Sequence, residues 1–267
     1  VIAPHRAERP GAGWPHVEAA TSAELDSCPF CAAREDRTPP ETLRIGDPWR
    51  VRVVPNLYPA FQRQEVVVHA PEHVRTVAEL DDDQLALVAD AWQRRERATP
   101  GYLHALINEG RVAGGSLAHS HSQLVWLPDV PPAVVREENL RRALEQGFEV
   151  LERDGIIAAC SYAPRLPYET IVAPLTPEAD PFTSDLLAPA LAVLAELVRR
   201  LHWIGNGPIP LNAWLHHGEW WHLELVPRLT ALAGIELGAE IYVNTVAPED
   251  AAEQLRLATM TDAEAGA

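Results

Sequence analysis

Three cysteines in 267 residues are too few, and too odd in number, for a disulfide framework. No apolar run approaches the roughly eighteen residues that a membrane-crossing helix needs. The opening "VIAPHRAERPG" lacks the charged-then-apolar layout of a signal peptide. These absences predict a cytoplasmic protein with no membrane partner. Basic residues are also scarce: 22 Lys and Arg against 38 Asp and Glu give a formal charge of −16. A nucleic-acid backbone is bound by a basic face that releases counterions, so nucleic acid is excluded as a partner and nucleotides remain as small ligands. What is abundant is apolar: 47% hydrophobic residues supply a core for one large domain or two of ordinary size.

The first fifty residues are rich in Pro, Arg and Gly, which predicts an irregular arm carrying "CPFC". "WRVRVVPNLYP" and "QEVVVHAPEH" read as strands, and "DDDQLALVADAWQRRERA" as a helix with a capping Asp. "YLHALINEG" and "SQLVWLP" read as two further strands joined by a glycine loop. An amphipathic helix is expected over 132–153, with Pro near its start and Gly at its end. A second cycle follows, with strands in "IIAACSYA" and "YETIVAP", a long helix in "TSDLLAPALAVLAELVRRLHWIG" interrupted at Pro189, and a closing hairpin in "IPLNAWLHHGEWWHLELVPR". The ends of the two cycles are alike: "HALINEG" then "HSQLVWLP", and "PLNAWLH" then "WHLELVP". The expected fold is therefore α+β, two related halves (1–130 and 131–267) sharing one extended antiparallel sheet with a long helix packed on each. Cys160 and the tryptophans of "GEWWH" are expected in the core.

Two clusters carry chemistry. Cys28 and Cys31 have the spacing of a zinc knuckle, able to reach one tetrahedral ion at roughly 2.3 Å. A redox dithiol is the rival, but that motif usually opens a helix in a βαβ unit, and this pair lies in a Pro-rich arm. Two further ligands are needed; His69, His73, His104 and His119 are all candidates, and four protein ligands would make the site structural. The second cluster is "GGSLAHSHSQ". His119, His121 and Gln123 fall at alternate positions where a strand begins, which on a strand sends all three to one face. A neutral His121 can attack a phosphoryl group and pass it on. Gly114, Gly115 and Ser116 would admit a phosphate closely, and Gln123 would donate to a nonbridging oxygen in the transition state. A metal on His119 would aim His121.

The series "APHRAERP", "CPFC", "PNLYPA", "APEH", "NEGRVAGGS", "HSHSQ" and "LPYET", in that order and nearly end to end, resembles the galactose-1-phosphate uridylyltransferase family of the histidine-triad superfamily. The resemblance implies structural Zn2+ on Cys28, Cys31, His73 and His119, and His121 as the nucleophile that becomes uridylylated. It implies phosphate contacts from Arg6 and Arg9, a nucleoside contact from Asn56, and Asn108, Ser116 and Gln123 around the transferring phosphoryl group. The implied reaction is UDP-glucose plus galactose 1-phosphate to glucose 1-phosphate plus UDP-galactose, by a homodimer whose partners are a nucleotide sugar and a sugar 1-phosphate.

A second metal ion, iron or zinc, is implied on Glu137, His216, His222 and Glu224, where Glu224 replaces a family His. The family's Lys and Tyr-Glu sugar-phosphate contacts are not reproduced in "AGIELGAEIYVNTVAPEDAAEQL". That stretch is more like the branch containing ADP-glucose phosphorylases, which hand the nucleotidyl group to inorganic phosphate. A non-catalytic, zinc-stabilised nucleotide-binding module, with His121 merely packed, is the reading from another class.

Overall fold

A computed structural model of the chain describes residues 1–9, 13–131 and 137–258, the side chains of 137 and 138 excepted. The first half comprises α1 (Ser22–Ser27), β1 (Leu43–Ile45), β2 (Val51–Pro55), β3 (Gln64–Val68), α2 (Asp82–Arg97), β4 (Tyr102–Glu109) and β5 (His121–Leu127). The second comprises α3 (Glu137–Glu145), β6 (Glu149–Arg153), β7 (Ile156–Cys160), β8 (Thr170–Pro174), α4 (Leu187–Ile204), β9 (Leu211–His216), β10 (His222–Pro227), α5 (Gly234–Ala239) and α6 (Pro248–Leu257). Among the described residues, ten strands form one antiparallel sheet in the order β1-β2-β3-β5-β4-β9-β10-β8-β7-β6. Each half contributes three strands, a long helix and a hairpin. The halves join where β4 meets β9, with Leu106 opposite Trp214 and Asn108 opposite Asn212.

Alternation along the central strands separates two faces. Leu103, Ala105 and Ile107 of β4, Leu124 and Trp126 of β5, Leu211, Ala213 and Leu215 of β9, and Leu223 and Leu225 of β10 enter one core with α2 and α4. α2 starts where the Asp81 side chain accepts from the Gln84 N–H at 2.7 Å, and it buries Leu85, Val88, Ala89 and Trp92 as one stripe. The opposite face carries Asn108, His121, Gln123, Asn212, His216, His222 and Glu224. Two smaller clusters cover its outer parts. Cys28, Phe30, Trp49 and the strand valines cover the first half, and Leu140, Ala143, Ile171 and Trp220 the second.

Several local expectations are corrected. "FEVLERDG" does not continue a helix; α3 ends at Glu145 and β6 pairs with β7 through Asp154-Gly155. Both turn residues have positive φ (50° and 80°), the conformation that a two-residue hairpin turn requires. Residues 132–136 of the expected helix lie outside the described residues. α4 is not interrupted at Pro189, which sits in its first turn, where a missing N–H costs no helix hydrogen bond. β5 begins at His121, so His119 stands before the strand rather than on it. Cys160, Trp220 and Trp221 are buried. The opening residues dock on the last third of the chain, with Ala3 N–H donating to Asn244 O at 2.8 Å. No helix among the described residues is long and apolar enough to cross a membrane.

Candidate active site

The ligand atoms of Cys28, Cys31, His73 and His119 lie within 4.8 Å of one another. His119 Nδ1 is 3.5 Å from Cys28 Sγ, and His73 Nδ1 is 3.3 Å from Cys31 Sγ. Each imidazole turns its other nitrogen to an oxygen. His119 Nε2 donates to Ala70 O at 2.9 Å, and His73 Nε2 pairs with Glu24 Oε1 at 2.9 Å. Those bonds place the proton on Nε2 and leave both Nδ1 lone pairs facing the thiols, the outer-shell arrangement of a metal-bound histidine. A set of two thiols and two imidazoles so placed fits a tetrahedral zinc ion. Desolvation lowers the His119 pKa to about 4. Burial, reinforced by Cys28, raises that of Cys31 to about 11, so its thiolate needs a cation beside it. His69 and His104, the other candidate ligands, lie outside this group; His69 Nδ1 meets Ser120 Oγ at 3.0 Å instead.

His121 follows directly. Its Nδ1 donates to the backbone oxygen of His119 at 2.7 Å, which leaves the Nε2 lone pair unprotonated. Burial lowers the ring's pKa, against the carbonyl hydrogen bond that raises it. Phe30 packs edge-on against both His119 and His121, and Trp92 Nε1 donates to Ser122 Oγ at 2.8 Å, pinning β5 from the core side. His121 lines a cleft of about 410 Å3 together with Phe30, Asn56, Tyr58, Ser116 and Gln123. The Gln123 carbonyl oxygen accepts from the Gln64 amide, which leaves the Gln123 amide nitrogen to donate into the cleft. The Asn56 side chain accepts from Tyr58 N–H at 2.9 Å and shapes the rim.

The glycine pair is required by geometry. Gly114 has φ +86°, and a Cβ on Gly115 would meet Asn108 O at 2.9 Å. The loop therefore lies against the end of β4 and brings Ser116 to the cleft. Arg6 and Arg9 do not line this cleft; they border a recess with Trp14, Pro167, Leu229 and Glu236 that shares no residue with it.

The second expected metal cluster has a different character. His222 opens β10 as His121 opens β5, and its Nδ1 meets the carbonyl two residues back, Trp220 O, at 3.0 Å. Donor atoms of His216, His222 and Glu224 lie within 4.8 Å of one another; the side chain of Glu137 lies outside the described residues. The Arg165 guanidinium, however, holds Glu224 Oε2 at 2.9 Å and Glu169 Oε1 at 2.8 Å. Trp214 Nε1 donates to His216 Nε2 at 2.6 Å, occupying that lone pair. Burial pushes the Glu224 pKa up, but the polar and cationic groups around it, with the Arg165 guanidinium at 2.9 Å, outweigh it and hold the carboxyl at about 2. This is an internal ion pair with its cation already in place, and it does not fit a divalent metal.

A sequence profile described as "Galactose-1-phosphate uridyl transferase, N-terminal domain" matches residues 53–132, the span from β2 through β5. An ADP-glucose phosphorylase of Arabidopsis thaliana is 27% identical over 98% of this chain and 90% of its own length. A galactose-1-phosphate uridylyltransferase of Thermotoga maritima is 24% identical over 72% of this chain and 73% of its own length. The crystal structure of an ADP-glucose phosphorylase from Arabidopsis thaliana with bound ADP-glucose aligns with a TM-score of 0.81 at 25% identity, covering 97% of this chain and 95% of that one. Together these likenesses support the galactose-1-phosphate uridylyltransferase family, within the histidine-triad superfamily, as the one this chain resembles. They support an enzyme of the nucleotidyltransferase and phosphorylase class.

Against the family motifs, Glu24 and Arg165 are residues that sequence reasoning missed. Glu24 orients His73, one of the four clustered candidate ligands, from a short helix capped by Thr21. Arg165 meets Glu224 across 59 positions of chain. Neither carries a local motif, so no signal of spacing could have found them.

Proposed function

We propose that this enzyme moves a nucleotidyl group from a nucleoside-diphosphate sugar to an acceptor through a covalent nucleotidyl-His121. The observation that carries the reading is the His121 ring, tied through Nδ1 to the His119 carbonyl and presenting Nε2 at a cleft beside Ser116 and Gln123. Nε2 attacks the α-phosphorus; the bond from phosphorus to the bridging oxygen breaks, and the sugar 1-phosphate leaves with the electron pair. As the ring takes on positive charge, its Nδ1–H bond to the carbonyl strengthens. Ser116 and the Gln123 amide donate to the nonbridging oxygens. An acceptor oxygen then attacks phosphorus, the P–N bond breaks, and His121 is restored. Zinc on Cys28, Cys31, His73 and His119 would be structural, holding the carbonyl of His119 where His121 needs it.

We infer inorganic phosphate as the acceptor, so that the products are a nucleoside diphosphate and a sugar 1-phosphate. The support is the near full-length similarity to an ADP-glucose phosphorylase and the absence of any lysine in the chain, which removes the family's lysine contact to a sugar phosphate. The second reading is UDP-glucose–hexose-1-phosphate uridylyltransferase, favoured by the similarity to the Thermotoga maritima enzyme. The two separate in a chase experiment: protein loaded with radiolabelled nucleotide is mixed with phosphate or with galactose 1-phosphate. Rapid discharge by phosphate alone is expected; discharge by galactose 1-phosphate alone assigns the second reading.

A further inference from the structure

Three polar side chains link the second half to the site in the first. Arg228 Nη1 donates to Asn212 Oδ1 at 2.8 Å, and Asn212 Nδ2 donates to Asn108 Oδ1 at 2.7 Å and to Ala113 O at 2.8 Å. The oxygen and nitrogen of a side-chain amide are usually hard to tell apart. Here the direction is fixed, because a guanidinium has donors and no acceptor. It must face the oxygen of Asn212, so the Asn212 nitrogen faces Asn108. The oxygen of Asn108 is then engaged, and its Nδ2 donors point the other way. Asn108 shares a sheet face with His121, and one step beyond the Ile107–Ser122 pair the register sets it opposite His121.

We propose that Asn212 and Arg228 are positioning residues that hold Asn108 with its N–H donors toward the phosphoryl group transferred at His121. The inference rests on the function proposed above and deepens it: residues more than a hundred positions downstream complete the phosphoryl site within one chain. An Asn108 turned over would offer oxygen lone pairs to an anionic phosphoryl group and oppose the reaction. Preorganised donors aimed at the reacting group are the larger part of such catalysis. The contact to Ala113 O also ties the same amide to the loop that carries Gly114, Gly115 and Ser116.

The test is the single-turnover rate of His121 nucleotidylation by saturating ADP-glucose, followed by quenched-flow intact mass, with melting temperature and substrate Kd measured alongside. Asn212→Asp keeps its partner Arg228 but has only acceptors to show Asn108, so the Asn108 amide reverses. At least a tenfold slower labelling step is expected, with Kd changed less than the rate. Arg228→Met is expected to slow labelling, and Arg228→Lys, still a pure donor, to recover part of that loss. Wild-type labelling rates in Asn212→Asp or Arg228→Met overturn the inference, as does an Arg228→Lys no faster than Arg228→Met. If Asn212→Asp fails to fold, the Arg228 pair decides alone. A wild-type protein that accepts no nucleotide from ADP-glucose or from UDP-glucose overturns the proposed function and this inference with it; a wild type labelled by either sugar, with variants labelled by that sugar at the same rate, overturns the inference alone.

Discussion

Replacing Arg165 by Met tests whether the second cluster is an ion pair or a metal site. The Glu169 and Glu224 side chains are each 2% exposed and share one guanidinium at 2.8 and 2.9 Å. Arg165→Met leaves two buried carboxylates without their cation, and removing one partner of a buried pair costs about 3–5 kcal/mol. In a chain of this size each kcal/mol moves Tm by roughly 2–4 °C, so a drop of roughly 10 °C is expected by calorimetry at neutral pH. The sign of the pH dependence follows from Glu224, whose folded carboxyl is held at about 2, below its ordinary 4.5. Its stabilisation is fully present above the ordinary value and is lost as pH falls toward 2. The gap between wild type and variant should therefore narrow in acid. Elemental analysis should find a single zinc per chain in the wild type, and added zinc should raise the Tm of Arg165→Met more than that of the wild type. A second ion in the wild type, or a variant melting within about 2 °C of it, refutes the reasoning.

Cys28→Ser removes a ligand from the first cluster. Structural zinc is worth ~10 kcal/mol or more in small domains; with the main core intact, a loss of about 3 kcal/mol or more is expected, together with absent zinc and slower His121 labelling. Unchanged melting with zinc retained would contradict the structural role. The two loop glycines should respond for different reasons. Gly115→Ala drives a Cβ into Asn108 O at 2.9 Å and should cost about 1–3 kcal/mol as well as labelling rate. Gly114→Ala meets no atom within 4 Å but keeps φ +86°, so about 1 kcal/mol is expected. Equal effects of the two substitutions on the labelling rate would show that the loop does not approach the reacting group as described.

The legible parts of the fold were those whose signal is local and periodic. β4 alternates buried and half-buried residues along its whole length, and α2 announces itself through Asp81 and its apolar stripe. Asp154-Gly155 was ambiguous because a helix stop and a hairpin turn both favour glycine in a left-handed conformation; pairing of β6 with β7 decided between them. His119 was placed on the strand by alternation. The structure starts the strand two residues later, at His121, and the His119 ring is drawn to Cys28 and Cys31. Four donors separated by up to 91 positions still converge as the motif resemblance implied. Arg165, Asn212 and Arg228 could not be read at all. Their roles arise from side chains that meet only after the two halves pair, and nothing in their neighbours encodes that meeting.

The most direct measurement of the central claim is intact-protein mass spectrometry after incubation with ADP-glucose and, separately, UDP-glucose, on wild type and His121→Ala. The account predicts a stable gain of one nucleotidyl group in the wild type with at least one of the two sugars. It also predicts no gain in His121→Ala, which should remain folded with its zinc because no metal ligand is lost. A wild type that never gains mass, or a His121→Ala protein that does, contradicts it.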